Sequence, residues 1–175
     1  SGAGVADCLV PVHHYGYIDG PREGGRYVEA GERKVQQQPD DLLARYELAI
    51  AYRDAGRLED GLSAIESVVE ALRRGQDRPH SEYLQEEFVY LVHGDLLDRS
   101  QRLDEALEVY RTVTEHFPNS HQAFNNMGSV LSRQRDLLAA RQCYERGLAL
   151  APNNPVLVEN LARLDRHEPV DSQPG

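Results

Sequence analysis

Tryptophan is absent from this 175-residue chain, methionine occurs once and cysteine twice. The two cysteines, Cys8 and Cys143, lie far apart and outside any paired spacing, so no zinc-ligand pair or redox dithiol is encoded. Both are expected to be reduced, in a cytoplasmic setting. No apolar run reaches the roughly 18 to 20 residues of a membrane helix. Basic residues are scarce, 19 Lys and Arg against 29 Asp and Glu, for a net charge of −10 and a pI near 5.1. That balance argues against nucleic-acid and anionic-membrane partners, both of which need a basic face. Also missing are a Gly-rich phosphate loop, a metal-ligand cluster and a nucleophile with an evident base. No catalytic residue, metal or cofactor is therefore expected for the chain as it stands. Ser1–Gly4 lack the regions of a signal peptide and there is no initiating Met, so the chain reads as a piece of a longer protein.

What the chain does contain is a period. Gly94 and Gly128, Ala106 and Ala140, Tyr110 and Tyr144, and Pro118 and Pro152 are each 34 positions apart. A fixed period of this length is the mark of stacked helical pairs, which predicts an all-α solenoid of about three repeats plus a C-terminal capping helix. Repeat one follows Leu42, with a tight turn at Ala55-Gly56-Arg57. Repeat two spans Glu87–Ser120, its first helix starting early, near Ser81, and repeat three spans His121–Asn154. Small residues (Ala49 against Gly61, Gly94 against Ala106, Gly128 against Ala140) are expected where the helices of a pair cross. Tyr90, Tyr110, Phe124 and Tyr144 are expected to fill the space between one pair and the next.

The flanks read differently. Residues 1–25 are expected to be an extended segment and loop, rich in β-branched and aromatic types around Cys8–Tyr17 and in Gly and Pro over Ile18–Gly25. The solenoid is expected over 26–167, opened by a half-repeat helix at Arg26–Gln38 and closed by a helix capped by Asn154 with Pro155 in its first turn. Residues 168–175 read as a disordered tail. Between repeats one and two the spacing stretches by 11 positions, which places an insertion at Arg73–His80. It is either a tolerated surface loop or part of a binding face. His93 falls on an inner helix face and reads as a core histidine satisfied by a hydrogen bond.

Phe124-x-x-Met127-Gly128-x-x-Leu131, Ala140-x-x-x-Tyr144 and Pro152, with Tyr90-x-x-His93-Gly94, Ala106-x-x-x-Tyr110 and Pro118, resemble the tetratricopeptide repeat family. The resemblance implies a right-handed solenoid whose first helices line a concave groove for a protein or peptide. It carries groove positions onto Leu43, Tyr46, Glu47, Ile50, Arg53 and Asp54, and onto Phe88, Leu91, Val92, Asp95, Asp98 and Arg99. In repeat three it carries them onto Gln122, Asn125, Asn126, Ser129, Ser132 and Arg133. Co-chaperones of this family clamp a C-terminal carboxylate with Asn and Lys or Arg. Asn126 matches one such Asn, but Glu47 and Val92 hold the equivalent places here, and an acidic Glu47 would repel that ligand.

His14-Tyr15-Gly16-Tyr17, followed by a linker and repeats, resembles the junction in bacterial family-two glycosyltransferases that carry C-terminal tetratricopeptide repeats. The resemblance implies that His14 lay near a nucleotide-sugar and metal site of an upstream domain. The nucleotide-binding sheet and Asp-x-Asp motif of that family are absent from this sequence. Three expectations follow: a non-enzymatic protein- or peptide-binding module, the C-terminal fragment of a glycosyltransferase that holds an acceptor or dimerises, or a self-associating solenoid.

Overall fold

The computed structural model describes residues 21–75 and 84–166. Among these, the chain forms α1 (Pro21–Gln37), α2 (Leu42–Asp54), α3 (Leu58–Arg73), α4 (Glu86–Arg99), α5 (Leu103–His116), α6 (His121–Arg133), α7 (Leu137–Leu150) and α8 (Pro155–Asp165), with no strand among the described residues. The expected N-terminal extended segment with His14, the insertion from residue 76 onward and the tail after Arg166 lie outside the described residues.

The helix boundaries follow local chemistry. The Asp41 side chain accepts from the Ala44 backbone N–H at 3.0 Å, Asp136 does the same for Ala139 at 3.1 Å, and Ser120 for Ala123 at 3.3 Å. Asn154 accepts from Val156 and Leu157 at 3.0 and 3.2 Å, with Pro155 behind it where no donor is needed. Each first helix of repeats one to three ends in the same left-handed turn. Arg57 N–H reaches Tyr52 C=O, Arg102 reaches Leu97, and Asp136 reaches Leu131, at 2.8, 2.9 and 3.0 Å. The left-handed residue is Gly56 in the first turn but Gln101 and Arg135 in the next two, at φ of 61° and 67°.

Two boundaries depart from expectation. The first helix begins at Pro21 and not Arg26, so residues 21–25 are helical and not loop. Proline is pre-set for the first helical turn, where its missing N–H costs nothing. In repeat two, Leu84 and Gln85 are non-helical, and α4 starts at Glu86 rather than running back to Ser81. Glu86 and Glu87 then occupy the first turn, where carboxylates complement the helix dipole.

The helices pack as antiparallel pairs, α2 with α3, α4 with α5 and α6 with α7, while each second helix also packs on the first helix that follows it. First helices touch one another along the series α2, α4, α6, α8; second helices do not. The face where neighbours touch is the inside of the curve, so the first helices form a continuous inner face. The core between layers is aliphatic, with Ile65, Val68, Val89, Leu96, Val113 and Val130 fully buried.

Ala49 and Gly61 meet as expected, the Ala49 carbonyl oxygen lying 3.4 Å from a Cβ placed on Gly61, while tyrosine rings take up the space at the other two crossings. A Cβ on Gly94 would lie 2.4 Å from the Tyr110 ring, and one on Gly128 would lie 2.5 Å from the Tyr144 ring. These tyrosines therefore fill the space left by the glycine of their own pair. Gly61 and Gly147 serve the next step of the stack, where a Cβ would lie 2.8 Å from Leu96 and 2.8 Å from Leu157. The tyrosine rings are 1% and 4% exposed, so they cannot swing outward without opening the core.

Gly128→Leu is expected to lose about 3 kcal/mol of stability by overpacking against Tyr144; an unchanged urea midpoint would show the pairing to be wrong. Arg135→Gly is expected to gain roughly 0.5 to 1 kcal/mol by relieving the left-handed backbone, read in the same titration.

Candidate binding groove on the first helices

Residues expected to line the groove divide by helix. On α2, Leu43, Tyr46 and Ile50 are half-buried and lie over the core edge, and Phe88 on α4 is placed likewise. Burial raises the Tyr46 hydroxyl above its ordinary range, with Arg53 opposing. Leu91 and Val92 are buried at 8% and 7% exposure, so they line the floor and offer little surface. Both are apolar side chains on a helix that packs on α2, α3, α5 and α6. The same repeat positions on α2 leave Tyr46 half-buried and Glu47 exposed.

The charged positions are paired with each other. Lys34 on α1 holds Glu47 at 2.7 Å, so the Glu47 carboxylate does not stand alone as expected. Arg53 contacts Asp54 at 2.8 Å and crosses to Asp95 on α4 at 3.3 Å, and Asp95 also accepts from Arg99 at 3.0 Å. Arg133 on α6 pairs with Asp98 on α4. Exposed pairs of this kind are each worth about 0 to 1 kcal/mol, so their main effect is to cancel charge along the face.

The C-terminal half is amide-lined. Asn160 Nδ2 on α8 donates to Asn125 Oδ1 at 2.9 Å, and Asn125 Nδ2 donates to Asn126 Oδ1 at 3.2 Å. Burial raises the Tyr110 and Tyr144 hydroxyls above their ordinary range, with Asn126 and Ser129 of the inner face opposing. Gln122 and Ser129 are half-buried and Arg133 is exposed. Asn160 and Lys34 were not expected in the site. Asn160 stands 34 positions after Asn126, so carrying the period into α8 would have found it; Lys34 lies before the clear repeats and carries no such signal.

A second polar feature lies between α3, α4 and α5. It is a cleft of about 230 Å³ lined by Glu66, Arg73, Tyr90, His93, Arg102 and Glu105 among others. His93 is not satisfied as expected. Its Nδ1 is buried without a partner, and Glu66 lies 3.9 Å from Nε2, beyond hydrogen-bond reach. Burial, with Arg73 and Arg102 nearby, lowers its pKa from 6.5 to about 4. Among the described residues no group of three His, Cys, Asp or Glu side chains is placed to hold a metal ion, and no helix is long and apolar enough to cross a membrane.

The inner face of paired helices defines an α-solenoid built to present one continuous concave surface. Residues 91–155 match the family model described as tetratricopeptide repeat, and the chain carries tetratricopeptide repeats. It is 39% identical over 80 residues to human protein O-mannosyl-transferase TMTC1, covering 46% of this chain and 9% of that protein. It is 30% identical over 139 residues to the Drosophila melanogaster Tmtc1 protein, covering 77% of this chain and 15% of that one. The chain thus spans less than a sixth of the length of these curated relatives. Among solved structures, MamA residues 41-end from Desulfovibrio magneticus RS-1 aligns with a TM-score of 0.66 at 15% identity, over 82% of this chain and 75% of that one. The first tetratricopeptide repeat domain of Spaghetti (RPAP3), bound to an HSP90 peptide, aligns with a TM-score of 0.60 at 17% identity, over 71% of this chain and 90% of that one. At these identities the two structures bear on the fold alone.

The unfolded chain takes up a proton on His93 below about pH 6.5, whereas the folded chain does so only near pH 4. Stability from this group is thus complete above the unfolded value and lost as pH falls toward 4, by about 3 kcal/mol. His93→Leu is expected to flatten that part of the pH profile in urea unfolding at neutral and acid pH. A parallel profile for wild type and variant would rule out His93 as the source.

Proposed function

We propose that the inner face of α2, α4, α6 and α8 is a docking groove for a protein or peptide, and that the chain works as a non-enzymatic interaction module. The observation that carries this reading is the half-buried apolar set Leu43, Tyr46, Ile50 and Phe88, left on a face the fold makes continuous. Large side chains held rigid at a core edge offer contact area at small entropic cost. Support also comes from the Spaghetti domain, which has the same fold and is bound to a peptide. A cytoplasmic setting, the absence of nucleic-acid and membrane partners, and self-association through the solenoid ends belong to the proposal too. They rest on the acidic composition, the free Cys143 and the exposed Val156 and Val158 of α8.

A second reading has its own motive. The relatives from human and Drosophila are named protein O-mannosyl-transferases, and they match this chain over only a small part of their length. On this reading the repeats belong to a glycosyltransferase and hold its acceptor protein in the same groove.

A pull-down from native lysate, comparing wild type with Tyr46→Ala/Phe88→Ala/Asn126→Ala, is expected to lose the main partners by tenfold or more, as for about 1.4 kcal/mol of lost contact. Identical partner lists for the two proteins would remove the groove assignment, provided circular dichroism shows both folded.

A further inference from the structure

One position recurs where each first helix meets the second helix before it. It is Leu48 on α2, His93 on α4, Met127 on α6 and Leu161 on α8, each directly before the small residue of its helix, Ala49, Gly94, Gly128 or Ala162. At the joint of α1 with α2 the Leu48 side chain closes on Gly31, where a Cβ would lie 2.9 Å away. Leu48 is buried, and Met127 and Leu161 pack against the core. Of the four residues only His93 titrates. Its imidazole lies between α3, α4 and α5, with Nδ1 buried and unpartnered. The groups around it are Glu66 and Arg73 on α3, Tyr90 on its own helix, and Arg102, Glu105 and Glu108 on α5. Arg102 already donates to both Glu105 oxygens, at 2.7 and 2.6 Å, and Glu66 stops 3.9 Å from Nε2. The other neighbours of α4 meet it through Arg53 with Asp95 and Arg133 with Asp98, and neither α2 nor α6 lines the cleft. A proton added to His93 therefore faces the Arg73 and Arg102 guanidinium groups and leaves a buried Nδ1–H with no acceptor.

We infer that the joint between α3 and α4 is an acid-operated hinge, at which protonation of His93 parts α1–α3 from α4–α8 while the later joints hold. The stability of a solenoid is a sum of repeat and joint terms, so one weakened joint opens by itself. The same joint has the longer connection: residues 74–85 link α3 to α4, whereas residues 117–120 link α5 to α6. A longer link holds the two sides together less closely. Opening there also divides the inner face, because Arg53 with Asp95 spans α2 and α4, and Tyr46 and Phe88 stand on opposite sides of the break. The hinge itself needs no occupant in the groove.

The test is hydrogen exchange of the 175-residue chain, read by mass spectrometry of its peptic fragments at neutral and mildly acid pH and corrected for intrinsic amide rates. In α1–α3 the opening equilibrium is expected to rise about 30-fold between about pH 7.5 and about pH 5, the factor for a histidine that titrates at 6.5 once exposed and at about 4 while buried. In α6–α8 it is expected to change by less than about threefold, because those helices open without exposing His93. In His93→Met, which carries the residue found at position 127, the rise in α1–α3 is expected to vanish. Equal rises in the two segments of the wild type would overturn the inference by showing that the stack opens as one unit. No rise in α1–α3 would overturn it as well, and the same rise in His93→Met would assign the effect to another group. The first two readings come from the wild type alone, and His93→Leu, matching Leu48 and Leu161, repeats the third.

Discussion

The contact on which this solenoid depends is the seat of a tyrosine ring on a glycine of the facing helix, Tyr110 on Gly94 and Tyr144 on Gly128. The missing side chain lets a ring enter the pair at a distance no Cβ would allow, and the ring then buries nearly all of its surface. Its hydroxyl feels Asn126 of the next pair at Tyr110 and Ser129 at Tyr144. One contact therefore sets the approach of two helices. In repeat one the tyrosine and its glycine are both absent: Ala49 takes the glycine's place, and Gly61 instead admits Leu96 from the following helix.

The first helices are in contact with one another and the second helices are not. The inner face inherits the order of the stack, apolar on α2 and α4, ion-paired across α2, α4 and α6, and amide-lined on α6 and α8. Cross-helix pairs such as Arg53 with Asp95 and Arg133 with Asp98 add little stability individually. Their consequence is electrostatic: the paired positions on α1, α2, α4 and α6 carry no net charge in an acidic protein. The orphaned Nδ1 of His93 lies away from this face, in the cleft between α3, α4 and α5. It is tolerated as a neutral imidazole, which makes it an acid-sensitive point of the core rather than part of the groove.

The sequence made the architecture legible because a period repeats the same physical demand, so Gly94 and Gly128 announce each other. Helix caps were equally legible, since Asp41 and Asn154 act through neighbours two or three residues away. What could not be read was pairing between elements. Nothing near Glu47 reveals that Lys34 neutralises it, and nothing near Val92 reveals that helices on both sides bury it. Breaker residues misled at Pro21–Gly25, where a helix start accepts a proline that a helix interior would reject. That Tyr110 fills the space over Gly94 was not legible, because spacing identifies which residues recur, and not which of them touch.

The central claim is that the partner is met by the inner face. It is tested most directly by placing a photo-crosslinking amino acid at Tyr46 on the inner face and, separately, at Glu108 on α5 beside the outer cleft, then irradiating each protein in native extract. The account predicts a discrete crosslinked adduct from position 46 and none from position 108. The same adduct from position 108 alone would contradict it and move the binding surface to the outer helices.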